Sequence, residues 1–231
     1  MSMLYGVVRA VASPLFRMAF RVTVSGLEYV PRTGGIVIAS NHQAFCDSLF
    51  LPLVLPRRVS FVAKAEYFTS RRTRWILRAL GQIPMDRRGG VASERALGEA
   101  LAILRSGGCV GIYPEGTRPA DGLLHRGRTG VARLALSARC PVIPAGIRGT
   151  RDVQPIGTRT LRPFKRVQVD FGEPIDLDGR YGGRDSADAL TLREATDEIM
   201  AEIKRLCGQE YIDQYASRAG NAPAATGELE E

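Results

Sequence analysis

His42 and Asp47 have the residue types and the spacing for acid–base chemistry. They are separated by four residues in the segment Asn41-His42-Gln43-Ala44-Phe45-Cys46-Asp47. A turn between a strand and a helix can bring two such side chains together. Asp47 would then accept a hydrogen bond from the imidazole, fix its tautomer and stabilise the cation formed on proton uptake. His42 would serve as general base for an alcohol attacking an activated acyl group. The competing reading is structural: a turn histidine satisfied by backbone, and an aspartate favoured by the positive end of a helix. Cys46 offers another chemistry, a thiol nucleophile activated by His42, against the plainer reading of a small apolar residue lining the turn.

Three further stretches carry groups suited to anions. Pro114-Glu115-Gly116-Thr117-Arg118 follows an apolar run, and buried polar groups there need partners. Gly116 lets the backbone approach a ligand, and Thr117 and Arg118 supply donors for phosphate oxygens. Glu115 could accept from a ligand hydroxyl, hold Arg118 in place, or form only a structural ion pair with it. Arg87, in Gly81-Gln82-Ile83-Pro84-Met85-Asp86-Arg87-Arg88, carries a guanidinium that can fork around a phosphate or simply be solvated. His125-Arg126-Gly127-Arg128-Thr129-Gly130 leads into a helix and is rich in donors, as an anion site or as a solvated loop. Pro144 has no reactive group and would act by shaping backbone.

Strands are expected over 22–25, 36–40, 59–63, 109–113, 142–147 and 166–171, the last nearer an edge. Helices are expected over 48–55, 67–80, 130–137 and 191–206, and another capped by Ser93 and ending at Leu104. This alternation predicts a single α/β domain over 22–216, with a mixed, mostly parallel sheet covered by helices. Asn41-His42 and the Pro114 to Arg118 block both fall just past strand ends, where sites form in such sheets.

Before this domain, residues 1–21 have helical periodicity. Leu4, Val7, Val8, Val11, Leu15 and Met18 share one face, Arg9, Ser13, Arg17 and Arg21 form a stripe on another, and Pro14 kinks the helix. Such a helix can lie in a lipid headgroup region or pack on the domain. The longest strongly apolar run, 49–55, contains Pro52 and is far short of the ~20 residues that span a bilayer. The arginines also interrupt any cleavable signal. Residues 217–231 read as a disordered tail.

The 231 residues include 32 Lys and Arg against 24 Asp and Glu, a net charge of +8. Up to residue 216 there are 31 bases and 21 acids, so the body carries +10. That favours anionic membranes, phosphorylated substrates or nucleic acid. Aromatics at 7% with no basic–aromatic interleaving argue against a nucleic-acid platform. Four scattered cysteines without a C-x-x-C pair read as reduced, buried thiols, and two histidines give little support for a metal.

Together, His-x4-Asp, Gly-x5-Arg ending at Arg87, Glu-Gly-Thr-Arg and the later Val-Ile-Pro strand appear in the order found in the lysophospholipid acyltransferases. Over residues 26–171 the chain resembles the bacterial 1-acylglycerol-3-phosphate acyltransferases, and its Arg-Gly-Arg-Thr-Gly-Val-Ala-Arg run is similar to actinobacterial members. The resemblance implies that His42 is the base and Asp47 its orienter. It implies that Glu115, Gly116, Thr117 and Arg118 bind the acceptor's glycerol phosphate with help from Arg87, and that Pro144 serves donor binding or site shape. Many members carry a lysine where this chain has His125, so Arg126 or Arg128 takes that contact. The expected reaction moves a fatty acyl group from acyl-CoA or acyl carrier protein to 1-acylglycerol-3-phosphate, giving phosphatidic acid, with no metal or bound cofactor. Glycerol-3-phosphate or another lysophospholipid as acceptor, and a non-catalytic basic membrane-binding protein, are the alternatives. The expected location is peripheral or monotopic, on the cytoplasmic face of the cell membrane.

Overall fold

Short apolar runs bounded by glycine and proline form the strands, and amphipathic stretches between them form the helices. The computed structural model describes residues 16–64, 82–85, 91–158, 160–184 and 188–217, with Pro14 and Arg74. Most of the expected N-terminal helix, the helix over 67–80, Arg87 and the tail from 218 lie outside the described residues. The first half contains β1 (Arg21–Ser25), β2 (Ile36–Ser40), α1 (Asp47–Val54), β3 (Ser60–Lys64), β4 (Ile83–Met85), α2 (Val91–Arg105) and β5 (Cys109–Ile112). Then come β6 (Leu124–His125), α3 (Gly130–Ala138), β7 (Val142–Arg148), α4 (Thr150–Val153), β8 (Arg166–Phe171), α5 (Leu177–Tyr181), α6 (Ala189–Cys207) and β9 (Tyr211–Ile212).

Among the described residues, seven strands form one sheet in the order β1-β8-β7-β2-β5-β3-β4. All neighbours are parallel except β7 and β8, which run antiparallel. This is the single α/β domain with a mostly parallel, helix-covered sheet that the alternation predicts. β2 is central and every one of its residues is buried, because both faces of the sheet are covered. Val37 and Ala39 face a core built with α2, α3 and α6; Ile36 and Ile38 face a second core built with α1 and Phe20. Each such Ile or Val contributes roughly 1.5–3 kcal/mol through burial.

α6 covers one face. Asp188 caps its start by accepting from Thr191 N at 2.8 Å, and Leu192, Ala195, Ile199 and Ile203 line its buried stripe. Its last turn lies so close to β7 that a Cβ on Gly146 would sit 2.5 Å from the Leu206 carbonyl carbon, so that strand position requires glycine. The helix before β5 starts at Val91, so Ser93 lies inside it rather than at its cap. Among the described residues no helix is long and apolar enough to cross a membrane.

Candidate active site

β2 and β5 are adjacent and parallel, so the residues following them emerge side by side at one edge of the sheet. Asn41 ends β2. Its Nδ2 donates to Ile147 O at 2.9 Å and its Oδ1 accepts from Ile147 N at 2.8 Å. The side-chain amide thus satisfies the backbone of β7 as the next strand residue would, and the main chain is released to turn. His42 is the first residue of that turn.

Three contacts fix His42, which is 8% exposed. Its Nδ1 lies 2.9 Å from Asp47 Oδ2. Its backbone N–H donates to Glu115 Oε1 at 2.9 Å. Its ring stacks on Tyr113 with centroids 3.9 Å apart and planes 8° from parallel. The Tyr113 hydroxyl is in turn 3.2 Å from Ser48 Oγ, on the first turn of α1.

Asp47 is fully buried at the N-terminus of α1, where the helix favours a negative charge. The same Oδ2 also accepts from the N–H groups of Gln43 and Ala44, at 2.7 and 2.9 Å. An oxygen that accepts two backbone protons requires Nδ1–H on the facing imidazole, which leaves Nε2 as the proton-accepting nitrogen. One oxygen therefore closes the turn and orients the ring, an arrangement that suits the structural and the catalytic reading of this aspartate alike.

Glu115 differs from the sequence expectation. It is 1% exposed, and its two carboxylate oxygens accept from His42 N and from His125 N, at 2.9 and 3.1 Å. Burial raises its carboxyl to about 8, against the lowering effect of those two N–H groups. It neither pairs with Arg118 nor faces outward: it staples the His42 turn to the loop that follows Arg118. Gly116, at φ 72, makes the reversal after Glu115, and Arg128 lies alongside it, within 3.1 Å of where a Cβ would stand.

Thr117 and Arg118 are partly buried, and Arg118 is close enough for its charge to act on the Cys46 thiol. Neither Arg118 nor Arg128 forms an ion pair among the described residues. Arg126 does, with Asp213 at 3.5 Å, and both Arg126 and Arg128 lie over the Tyr215 ring. His125 turns Nε2 to Asp121 at 2.8 Å and Nδ1 to Gln214 O at 3.1 Å, which makes it a pin for its loop. Pro144 is buried inside β7, opposite Ala39, with its ring against Gly172. The structure therefore brings His42, Asp47, Glu115, Gly116, Thr117 and Arg118 to one edge and leaves Pro144 in the sheet.

Cys46 is not placed as a nucleophile. It is fully buried, its Sγ donates to Thr150 O at 3.6 Å, and burial, reinforced by Asp47, pushes the thiol up to about 12. The other three cysteines are free and buried as well.

Residues with no sequence motif complete the site. Gln154 accepts from Cys46 N at 2.9 Å. Gln209, just past α6, accepts from Asn41 Nδ2 at 2.6 Å and donates to Gly122 O at 2.7 Å. β9 pairs with β6, and Arg126 N donates to Gln214 O at 3.0 Å, so a strap over 209–215 binds the loop that carries His125.

The site thus places a buried histidine held by a carboxylate, and arginines that form no ion pair among the described residues, past the strand ends of one α/β sheet. The acyltransferase family model matches residues 21–148, more than half of the chain, and the chain belongs to that family. It is 28% identical over 157 residues to a chloroplastic 1-acyl-sn-glycerol-3-phosphate acyltransferase of Arabidopsis thaliana, covering 68% of this chain and 44% of the relative. It is 28% identical over 156 residues to the 1-acyl-sn-glycerol-3-phosphate acyltransferase of Bacillus subtilis, covering 67% of this chain and 73% of that protein. The chain spans only 44% to 50% of the length of the chloroplastic relatives from Arabidopsis thaliana and Brassica napus. The crystal structure of the 1-acyl-sn-glycerophosphate (LPA) acyltransferase PlsC from Thermotoga maritima superposes with a TM-score of 0.68 at 25% identity, covering 87% of this chain and 80% of that one.

Proposed function

We propose that this protein transfers a fatty acyl group from the thioester of acyl-CoA or acyl carrier protein to the free hydroxyl of 1-acylglycerol-3-phosphate, giving phosphatidic acid. The observation that carries the reading is the 2.9 Å contact between His42 Nδ1 and Asp47 Oδ2. The names of the relatives supply the substrate class.

His42 Nε2 takes the proton of the acceptor hydroxyl as its oxygen attacks the thioester carbonyl. The C–O bond forms, the C–S bond breaks, and the proton passes from the imidazolium to the departing thiolate. Asp47 stabilises the imidazolium throughout. Thiolate is a good leaving group, so placement of the acceptor is the larger demand. Gly116, Thr117, Arg118 and Arg128 hold the acceptor's phosphate away from the reacting hydroxyl, with Arg87 contributing and Arg126 secondary because it is engaged by Asp213. Glu115 positions both sides of the site, and Pro144 shapes the strand beneath it. The +8 chain works peripherally or monotopically on an anionic membrane, at its cytoplasmic face.

The test is an acceptor panel with labelled acyl-CoA, read by mass spectrometry. The panel contains 1-acylglycerol-3-phosphate, its dephosphorylated counterpart, glycerol-3-phosphate and other lysophospholipids. Phosphatidic acid is the expected product, and His42→Ala removes it while the circular dichroism spectrum stays unchanged. Turnover retained in His42→Ala would sink the mechanism; a preference for another acceptor would reassign the substrate.

A further inference from the structure

Among the described residues, two of the most exposed large apolar side chains sit on segments that are far apart in sequence and hydrogen-bonded to each other. Met18 is 78% exposed and Phe164 is 71% exposed. Phe164 N donates to Ala19 O at 2.7 Å, and Arg21 N donates to Lys165 O at 3.0 Å, so the two segments are zipped together. Phe164 has φ 64, a left-handed conformation that a bulky residue adopts only when held there. The hydrogen bond to Ala19 holds that backbone, while the side chain stays largely in solvent.

The two segments themselves are basic. Arg17, Arg21, Arg162, Lys165 and Arg166 are all exposed, and none forms an ion pair among the described residues. Neither residues 14–25 nor residues 155–169 contain an acid. Arg21 and Arg166 are even register partners in β1 and β8, a like-charge pairing that opposes folding. An apolar tip inside an unbalanced basic collar matches a surface with anionic headgroups above acyl chains.

The topology sets where this tip points. β2 and β7 are parallel, β8 reverses against β7, and β1 is parallel to β8. The starts of β1 and β8 therefore lie at the same edge of the sheet as the end of β2, where His42 turns out. Gln154 strengthens the link, because it belongs to the segment leading to this loop and accepts from Cys46 N.

We propose that Phe164, beside Met18 at the end of the expected helix over 1–21 and with the five basic side chains of the two segments, forms a docking surface for an anionic bilayer. It seats the catalytic edge against the lipid surface from which a lysophospholipid acceptor is drawn; that purpose rests on the function proposed above, whereas the binding itself does not.

The full chain is sedimented with vesicles of phosphatidylglycerol and phosphatidylcholine, and with vesicles of phosphatidylcholine alone. Phe164→Gly removes the apolar tip and relieves the left-handed backbone, so its melting temperature stays equal or rises while binding to anionic vesicles weakens about ten-fold. Arg162→Gln with Lys165→Gln weakens binding about five-fold for each charge, with a loss of salt sensitivity. Unchanged binding in both variants, or equal wild-type binding to neutral vesicles, overturns the proposal. So does a dimer in the absence of lipid that Phe164→Gly dissolves, because the face would then join two copies of the chain. Turnover of a dispersed short-chain lysophospholipid separates the two readings. Wild-type turnover without vesicle binding through this face refutes docking alone, and binding without acyl transfer to any lysophospholipid refutes the function alone.

Discussion

Asn41 and Gln209 are 168 residues apart in sequence and share a 2.6 Å hydrogen bond from Asn41 Nδ2 to Gln209 Oε1. Gln209 also donates to Gly122 O, so one side chain joins the residue before His42 to the loop after Arg118. The family match ends at residue 148, well before it. Gln209→Ala leaves the Asn41 amide one acceptor short in a buried place, a cost of about 1–3 kcal/mol. We expect kcat to fall about ten-fold with KM nearly constant. Gln209→Glu, which keeps the acceptor for Asn41, recovers most of the loss. Steady-state kinetics of both variants check this, and an unchanged kcat in Gln209→Ala would refute the positioning role.

Asp47→Asn keeps an oxygen for the Gln43 and Ala44 amides but removes the charge facing the imidazolium. The turn should survive, and kcat should fall by about 10²-fold or more, as expected when a histidine loses its orienting carboxylate. Single-turnover rates on a saturating acceptor measure this directly. A loss of less than ten-fold would mean that the pair is structural.

Glu115 makes stability depend on pH with a defined sign. Its folded-state carboxyl lies at about 8, above the ordinary 4.5. Between those values the folded protein holds a proton that the unfolded chain has released. Stability is therefore full below about 4.5, declines as pH rises, and levels off above about 8, by a few kcal/mol at most. Urea midpoints from pH 5 to 9 should show this slope, and Glu115→Gln should lack it. Glu115→Ala strands two buried N–H groups, so it should unfold more readily rather than merely raise the acceptor KM.

Cys46→Ala should retain kcat within about two-fold, since the thiol only lines the turn. The native protein should also turn over normally after treatment with a thiol-alkylating reagent, because a fully buried sulfur reacts slowly. A hundred-fold loss in Cys46→Ala would restore it as a nucleophile.

The strands around the site were legible because burial writes itself as apolar runs: 36–40 and 142–147 match β2 and β7 closely. The stripe of α6 was legible for the same reason, at period 3.6. His42, Asp47 and Arg118 stood out because reactive side chains at strand ends are costly without a purpose. Glu115 was visible as a residue and not as a staple, since its partners are backbone N–H groups that no sequence pattern encodes. Gln209 and Gln154 left no signal, because a polar residue in a loop looks the same whether it is solvated or buried against a partner far along the chain. The two-residue strands β6 and β9 are too short for any periodicity.

The reversal of β8 has a consequence for the order of assembly. Ser25 Oγ donates to Asp170 at 2.5 Å across a separation of 145 residues, and β1 finds its place in the sheet only through β8. The central strands β2, β5 and β7 can pair before residue 166 exists, whereas β1 waits for nearly the whole domain to be made. Among the described strand pairings its closure has the longest range and so the highest loop-closure cost, and it comes late. β1 is thus among the last elements to be locked, and the basic, apolar tip is completed only as the sheet closes.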